Sequence, residues 1–177
     1  CVVPGASGEL HTKIWKGLEE FGDAGLIKQP RTKMHLAQAE GCSPIVHAFG
    51  IGSNQVTPVK PNTIAKSLAI GNPAAGPYSL EVLNQTEGTG VSAPEISIID
   101  GIKLLAETEG IFTETAGGVV ISSLQKLVEQ NKIKRNEVTV AFITGNGLKT
   151  LDAMGDFCKP VRTTPDLESF EAAVRNN

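Results

Sequence analysis

Two short stretches of this sequence run from apolar residues into glycines with a hydroxyl residue among them. The first is "CVVPGASGEL", Cys1 to Leu10, where a strand of Cys1 to Val3 turns through Pro4 to Gly8 into a helix. Free backbone N–H groups and the helix dipole make such a turn a natural anion site. The pattern is equally that of a plain strand-to-helix turn. Glu9 opposes a phosphate at its own side chain and leaves backbone contacts open. The second stretch is "VTVAFITGNGLKT", Val138 to Thr150. Val138 to Ile143 has the β-branched, apolar character of a buried strand, and it ends at Thr144 before Gly145 and Gly147, where the chain must turn sharply. Stricter templates are absent: no G-x-G-x-x-G follows a strand, and there is neither a Walker lysine nor a G-x-S-x-G elbow.

Other candidates for chemistry read as ordinary. His11, His35 and His47 are scattered without metal-ligand spacing and are expected to be surface or satisfied polar residues. Glu107 and Glu109 suit a helix end, Glu114 the start of the following helix, and Asp100, Glu129 and Glu137 a solvated face.

These residues need elements to hold them. After the first strand, Leu10, Ile14, Leu18 and Phe21 share one face of a helix that Trp15 widens and Gly22 ends. Lys33 to Glu40 reads as a strand burying Met34, Leu36 and Ala39. Ser43 and Pro44 mark a helix start. Asn62 is placed to cap a short helix over Thr63 to Ala69, and another helix is expected over Pro77 to Gln85. Ser92-Ala93-Pro94-Glu95 has the form of a capping box for a helix to about Glu107, with Ile98, Ile102 and Leu105 inward. Gly110 to Thr113 links it to the longest helix, Thr115 to Gln130, with Val119, Val120, Leu124, Leu127 and Val128 inward. An irregular Lys149 to Thr164 precedes a short helix opened by Pro165 and carrying Leu167, Phe170 and Val174. Strands separated by helices predict an α/β fold, a three-layer mainly parallel sheet with helices on both faces. With three evident strands the sheet looks incomplete.

Composition sets the outer limits. The 177 residues suit a single domain over residues 1–177, with 150–177 a tail, and 40% hydrophobic and 20% charged residues are ordinary for a globular protein. The formal net charge of -3 is spread along the chain without a basic stripe, which argues against nucleic acid. No apolar run approaches the roughly 20 residues that span a bilayer. Cys1, Cys42 and Cys158 are few, odd in number and far apart, which points to a reducing, cytoplasmic setting. The chain drops at once into a strand without a methionine, as a piece of a longer protein does.

"TKIWKGLEEF", "QAEGCSPIVHAF", "VKPNTIAKSLAIGNPA", "LLAETEGIFTETAGGV" and "FITGNGLKT" resemble the threonine synthase family in order and spacing over nearly the whole chain. The resemblance implies the tryptophan-synthase-β-like fold, here its C-terminal large-domain part, and pyridoxal 5'-phosphate as cofactor. It places Thr144 against the cofactor's pyridine nitrogen, to which a hydroxyl can donate a hydrogen bond without holding the ring protonated. It makes Ala6, Ser7, Gly8, Glu9 and Leu10 the phosphate loop, with Ala6 where a glycine is usual. It also sets Ile70 to Pro73, with Gly71 and Asn72, beside cofactor and substrate, and Glu114 at the helix start next to them.

The family carries its cofactor as a Schiff base on a lysine in a Ser-Phe-Lys-Asp-Arg-like segment. None of the twelve lysines has that context, and Lys13, Lys16 and Lys149 lie elsewhere. The expectation is the C-terminal portion of a threonine synthase acting on O-phosphohomoserine, without a catalytic residue of its own. Its lysine and substrate clamp would come from a missing N-terminal half. A non-catalytic domain that self-associates, or another enzyme of the fold such as a threonine dehydratase, stays open.

Overall fold

The structure is a computed structural model describing residues 1–158 and 160–175. Three strands, β1 (Val2–Pro4), β2 (His35–Ala39) and β3 (Gly90–Ala93), form a wholly parallel sheet in the order β1-β2-β3. Val2 pairs with His35, and Leu36 with Gly90. Helices α1 (Glu9–Asp23), α2 (Pro44–Gly50) and α3 (Gly76–Gln85) cover one face. Helix α5 (Thr115–Glu129) crosses all three strands on the other, with α4 (Glu95–Glu109) packed behind it. Turns at α6 (Leu151–Met154) and a terminal α7 (Leu167–Arg175) follow.

Period-two alternation divides the core. Val2, Ala37, Ala39, Val91 and Ala93 face α5, where they meet Ala116, Val119, Val120 and Leu127. Val3, Met34 and Leu36 face α1 to α3, where they meet Trp15, Ile45, Leu80, Val82 and Leu83. The α5 side is rich in alanine and glycine, so the helices sit close. A Cβ on Gly101 would stand 2.6 Å from the Gly118 carbonyl oxygen, and one on Gly118 would stand 2.3 Å from that of Ile98.

Several expectations need correction. Val138 to Ile143 is not a buried strand. It touches β1 at one parallel bridge, Val2 to Ala141, through Val2 N–H to Val140 O (2.8 Å) and Phe142 N–H to Val2 O (3.0 Å). It lies outermost, so Val138 is 96% exposed although its β-propensity is high. The strand β3 takes Gly90 to Ala93, which had read as a helix lead-in. Consequently the Ser92 capping box does not form: Pro94 is the N-cap of α4, and Ser92 O accepts a hydrogen bond from Lys126 Nζ (2.8 Å). The Glu95 carboxylate instead accepts from Gly41 N–H, Thr63 Oγ1 and Ile64 N–H, fastening two loops. That loop geometry leaves a 3-10 turn at Lys66–Leu68 in place of an Asn62-capped helix.

The start of α2 is capped by a distant residue. Ser43 is the N-cap, but its hydroxyl donates to Glu40 O (3.3 Å) rather than capping the helix, while buried Gln38 Oε1 accepts from Ile45 and Val46 N–H, both at 3.0 Å. The inner stripe of α1 is centred on His11 and Trp15, because β1 and Met34 meet the helix there, and Leu10 and Phe21 are exposed. Val128 turns outward from α5, and the apolar residues of α7 are exposed. The stretch after Lys149 has helical turns at Leu151–Met154 and Gly155–Phe157.

Candidate functional site

Backbone constraints shape the loop after β1. Gly5 N–H bonds to Ala37 O (2.8 Å), and a Cβ there would come within 2.7 Å of Leu36 Cδ1. Gly8 is the N-cap of α1 with φ +91°, a left-handed conformation that costs a side-chain-bearing residue. The start of α3 holds this loop: Ala75 N–H bonds to Ser7 O (3.0 Å) and Ser79 Oγ to Gly8 O (3.2 Å). The Thr12 N–H reaches Gly8 O (3.1 Å) as the first helical bond. The N–H groups of residues 9–11 therefore have no acceptor within the helix, and Glu9 N–H finds Ser7 Oγ at 3.4 Å.

The second loop is built on the start of α5. Glu114 N–H and Thr113 Oγ1 both donate to Gly145 O at 3.0 Å. Gly147 N–H donates to Phe112 O (3.0 Å), and Thr115 N–H to Thr150 Oγ1 (3.3 Å). Glu114 is 3% exposed, and its carboxylate fills the space where a Cβ of Gly145 would be. Lys149 Nζ stands 3.1 Å from Glu114 Oε2, an ion pair without an aligned hydrogen bond.

The two loops meet. Segment 140–142 and β1 are adjacent, yet the chain leaves β1 through α1 on one face and reaches the segment from α5 on the other. Such a reversal opens a crevice at the carboxyl ends of parallel strands. A hollow of about 160 Å³ lies there, between Pro4, Ala6, Ser7, Gly8 and Leu10 on one side and Glu114, Ala116 and Thr144 on the other. Ser67 and Leu68 form a third wall. The N-termini of two fifteen-residue helices, α1 and α5, border it.

Of the residues expected at one site, Ala6, Ser7, Gly8, Leu10, Glu114 and Thr144 line this hollow together. Glu9 turns away into a larger depression of about 500 Å³ between α1 and α3, rimmed by Lys13, Lys16, Glu19 and Glu81. That depression lies along helix flanks rather than at strand ends, so its size does not make it the better site. Gly71 and Asn72 are outside the lining: Gly71 is packed against Val59, whose N–H bonds to Gly71 O (2.9 Å), and Asn72 is exposed. Ser67 and Leu68 stand in the wall instead, a few residues upstream in "KSLAIGNP", a stretch whose importance was legible although its inward residues were not. No lysine is among the described lining residues.

His11 and His35 are structural. His11 Nε2 donates to Met34 O (3.2 Å), which leaves a bare Nδ1 in apolar surroundings, and burial pushes its pKa down to about 4. His35 Nδ1 accepts from Thr89 N–H (3.1 Å); burial, then the N-terminal ammonium and Lys33, lower it to about 4. His47 is exposed. Among the described residues no group of His, Cys, Asp and Glu could hold a metal ion. Nor is any described helix long and apolar enough to cross a membrane.

Residues 1–145 match the profile of the family described as pyridoxal-phosphate dependent enzyme. Threonine synthase of Methanocaldococcus jannaschii is 39% identical over 153 residues, covering 86% of this chain and 38% of that protein. The Methanosarcina acetivorans enzyme is 34% identical over 175 residues, covering 98% and 43%. The chain thus spans about two fifths of the length of these relatives. Among solved structures, Escherichia coli threonine synthase superposes with a TM-score of 0.60 at 14% identity, covering 97% of this chain and 38% of that one. The processed threonine deaminase isoform 2 of Solanum lycopersicum gives 0.64 at 20%, covering 87% and 43%. These likenesses show the α/β fold of tryptophan-synthase-β-like enzymes. With a profile match across most of its length and a crevice where such folds bind ligands, the chain belongs to the pyridoxal-phosphate dependent enzyme family, whose cofactor is pyridoxal 5'-phosphate.

Proposed function

We propose that this chain is the cofactor-binding portion of a threonine synthase, an enzyme converting O-phospho-L-homoserine and water to L-threonine and phosphate. The observation that carries the reading is the shared hollow: the loop after β1, Ser67 and Leu68, the start of α5 and Thr144, remote in sequence, converge at the switch point of the sheet. The relatives named above support the choice of reaction.

The donor set fits the cofactor. At one end Ser7 and the N–H groups at the start of α1 suit a phosphate dianion. At the other, Thr144 offers a hydroxyl, and the absence of a side chain on Gly145 leaves room for the Glu114 carboxylate beside it. Bound there, the cofactor supplies an electron sink for loss of the γ-phosphate and addition of water at the β-carbon. This chain's residues bind and orient it: the loop fixes the phosphate, and Thr144 donates to the ring nitrogen. Proton transfer and substrate-phosphate recognition fall to residues outside this chain, and so does the lysine that carries the cofactor.

Two measurements test the reading. Reduction with borohydride after mixing with pyridoxal phosphate is expected to leave no lysine selectively labelled on peptide mapping; one lysine labelled in high yield overturns the division of labour. Pyridoxine 5'-phosphate, which lacks the aldehyde, should bind the chain more tightly than inorganic phosphate does. Thr144→Val should reduce that advantage by about tenfold, the loss of roughly one hydrogen bond, with no change in phosphate affinity. An advantage that survives Thr144→Val removes the threonine from the site.

A further inference from the structure

Lys149 has no part in the function just proposed, yet it pairs with Glu114 in the wall of the hollow that Thr144 also lines. Glu114 is buried at the hollow's wall, while its partner Lys149 projects from the next turn with a 62% exposed side chain. The backbone of residues 144–147 packs on Glu114 and leads on to Lys149. Gly145 is held to Glu114 and Thr113 through its carbonyl and has Glu114 Oε1 where its own Cβ would be. Gly147 is held to Phe112. Asn146 lies in an antiparallel bridge with Thr113, and its side chain caps Leu148 N–H at 2.9 Å. The Lys149–Glu114 ion pair (3.1 Å) thus closes a ring of contacts that ties the exit of the turn to the start of α5.

Charge gives the ring a purpose. Glu114 stands buried in the wall of the hollow, where an unpaired carboxylate would be costly to keep. We infer that Lys149 is a positioning residue that acts through Thr144: by pairing with Glu114 it clamps the 144–147 turn onto the start of α5, so that the Thr144 hydroxyl faces the bound ring. This inference rests on the proposed cofactor site and adds to it a residue that does not line the hollow.

The test compares the full chain with Lys149→Met, Lys149→Arg, Thr144→Val and the Lys149→Met/Thr144→Val double variant. Affinities for inorganic phosphate and for pyridoxine 5'-phosphate are measured, together with amide hydrogen exchange at Glu114 and Gly147. Lys149→Met should lose about tenfold in pyridoxine 5'-phosphate affinity and less than twofold in phosphate affinity. Exchange at both amides should rise about tenfold, and Lys149→Arg should restore both readouts. In the Thr144→Val background Lys149→Met should cost nothing further. Equal loss of both ligands means that Lys149 acts only as a nearby positive charge, and additive losses mean that it does not act through Thr144; either overturns the clamp. Unchanged exchange in Lys149→Met also overturns it, whatever the ligands do. If the wild-type chain binds the two ligands equally, the cofactor-site reading fails by itself, and exchange still decides whether the pair clamps the turn.

Discussion

Gly8 joins backbone conformation to ligand chemistry at a single atom position. Its φ of +91° opens the turn, and a Cβ there would meet Ser79 Oγ at 2.6 Å and Ala75 O at 2.9 Å. Gly8→Ala should therefore lose about 2 kcal/mol or more of stability, from left-handed strain plus displacement of α3, read as a shift in the urea midpoint. It should also lose phosphate binding. Gly17 is the control: it lies inside α1, and a methyl group added there would have nothing within 4 Å, so Gly17→Ala should stabilise by up to about 1 kcal/mol. Both residues look alike in the sequence. Gly8 was legible as a turn glycine from its place between strand and helix, whereas the reason it cannot change, the proximity of α3, is a tertiary fact.

At the level of elements, the contact of α4 with α5 depends on the absence of side chains. Gly118→Ala would put a methyl group 2.3 Å from Ile98 O and 2.8 Å from Ile102 Cγ1, both on the facing helix. The helices must separate, at an expected cost of about 1–3 kcal/mol, measured by thermal or urea unfolding. The far end of α5 offers the opposite case. Asn131 ends the helix with φ +55°, and Lys132 N–H bonds back to Leu127 O (2.9 Å), the wrap of a Schellman motif. Asn131→Gly should stabilise by a few tenths of a kcal/mol up to about 1 kcal/mol, because glycine adopts that φ without strain. Helix positions were legible from their apolar spacing and Pro or Gly punctuation. The strand β3 was not, since Gly90 to Ala93 is short and its Ser-Ala-Pro-Glu continuation has strong helix-start chemistry that pairing with β2 overrides.

Across the whole molecule, two buried neutral histidines couple folding to pH. His11 ordinarily titrates near 6.5 in an unfolded chain and near 4 when folded. As pH falls from about 6.5 to 4 the unfolded state takes up the proton and the folded state does not, so stability is present above that window and is lost through it. For His11 the loss is on the order of 3 kcal/mol; His35, which lines surface hollows, adds less. His11→Gln retains an amide donor for Met34 O, and should flatten the dependence of stability on pH between about 6.5 and 4 relative to wild type. An unchanged slope in denaturant melts across that window would show that His11 is not responsible.

Local chemistry and periodicity were enough to determine from the sequence the α/β alternation, most of the helices and the two glycine turns. Such features depend on φ/ψ preferences and on side chains three or four residues apart, and both are written in consecutive residues. The order of the strands, the outer-edge position of Val138 to Ile143 and the use of Glu95 to tie loops together were decided only in three dimensions. So were the arrival of Ser67 and Leu68 in the wall and the pairing of Lys149 with Glu114. Each of these depends on which surfaces become neighbours when the sheet is covered on both faces, and burial is a property of the packed molecule that no single segment carries.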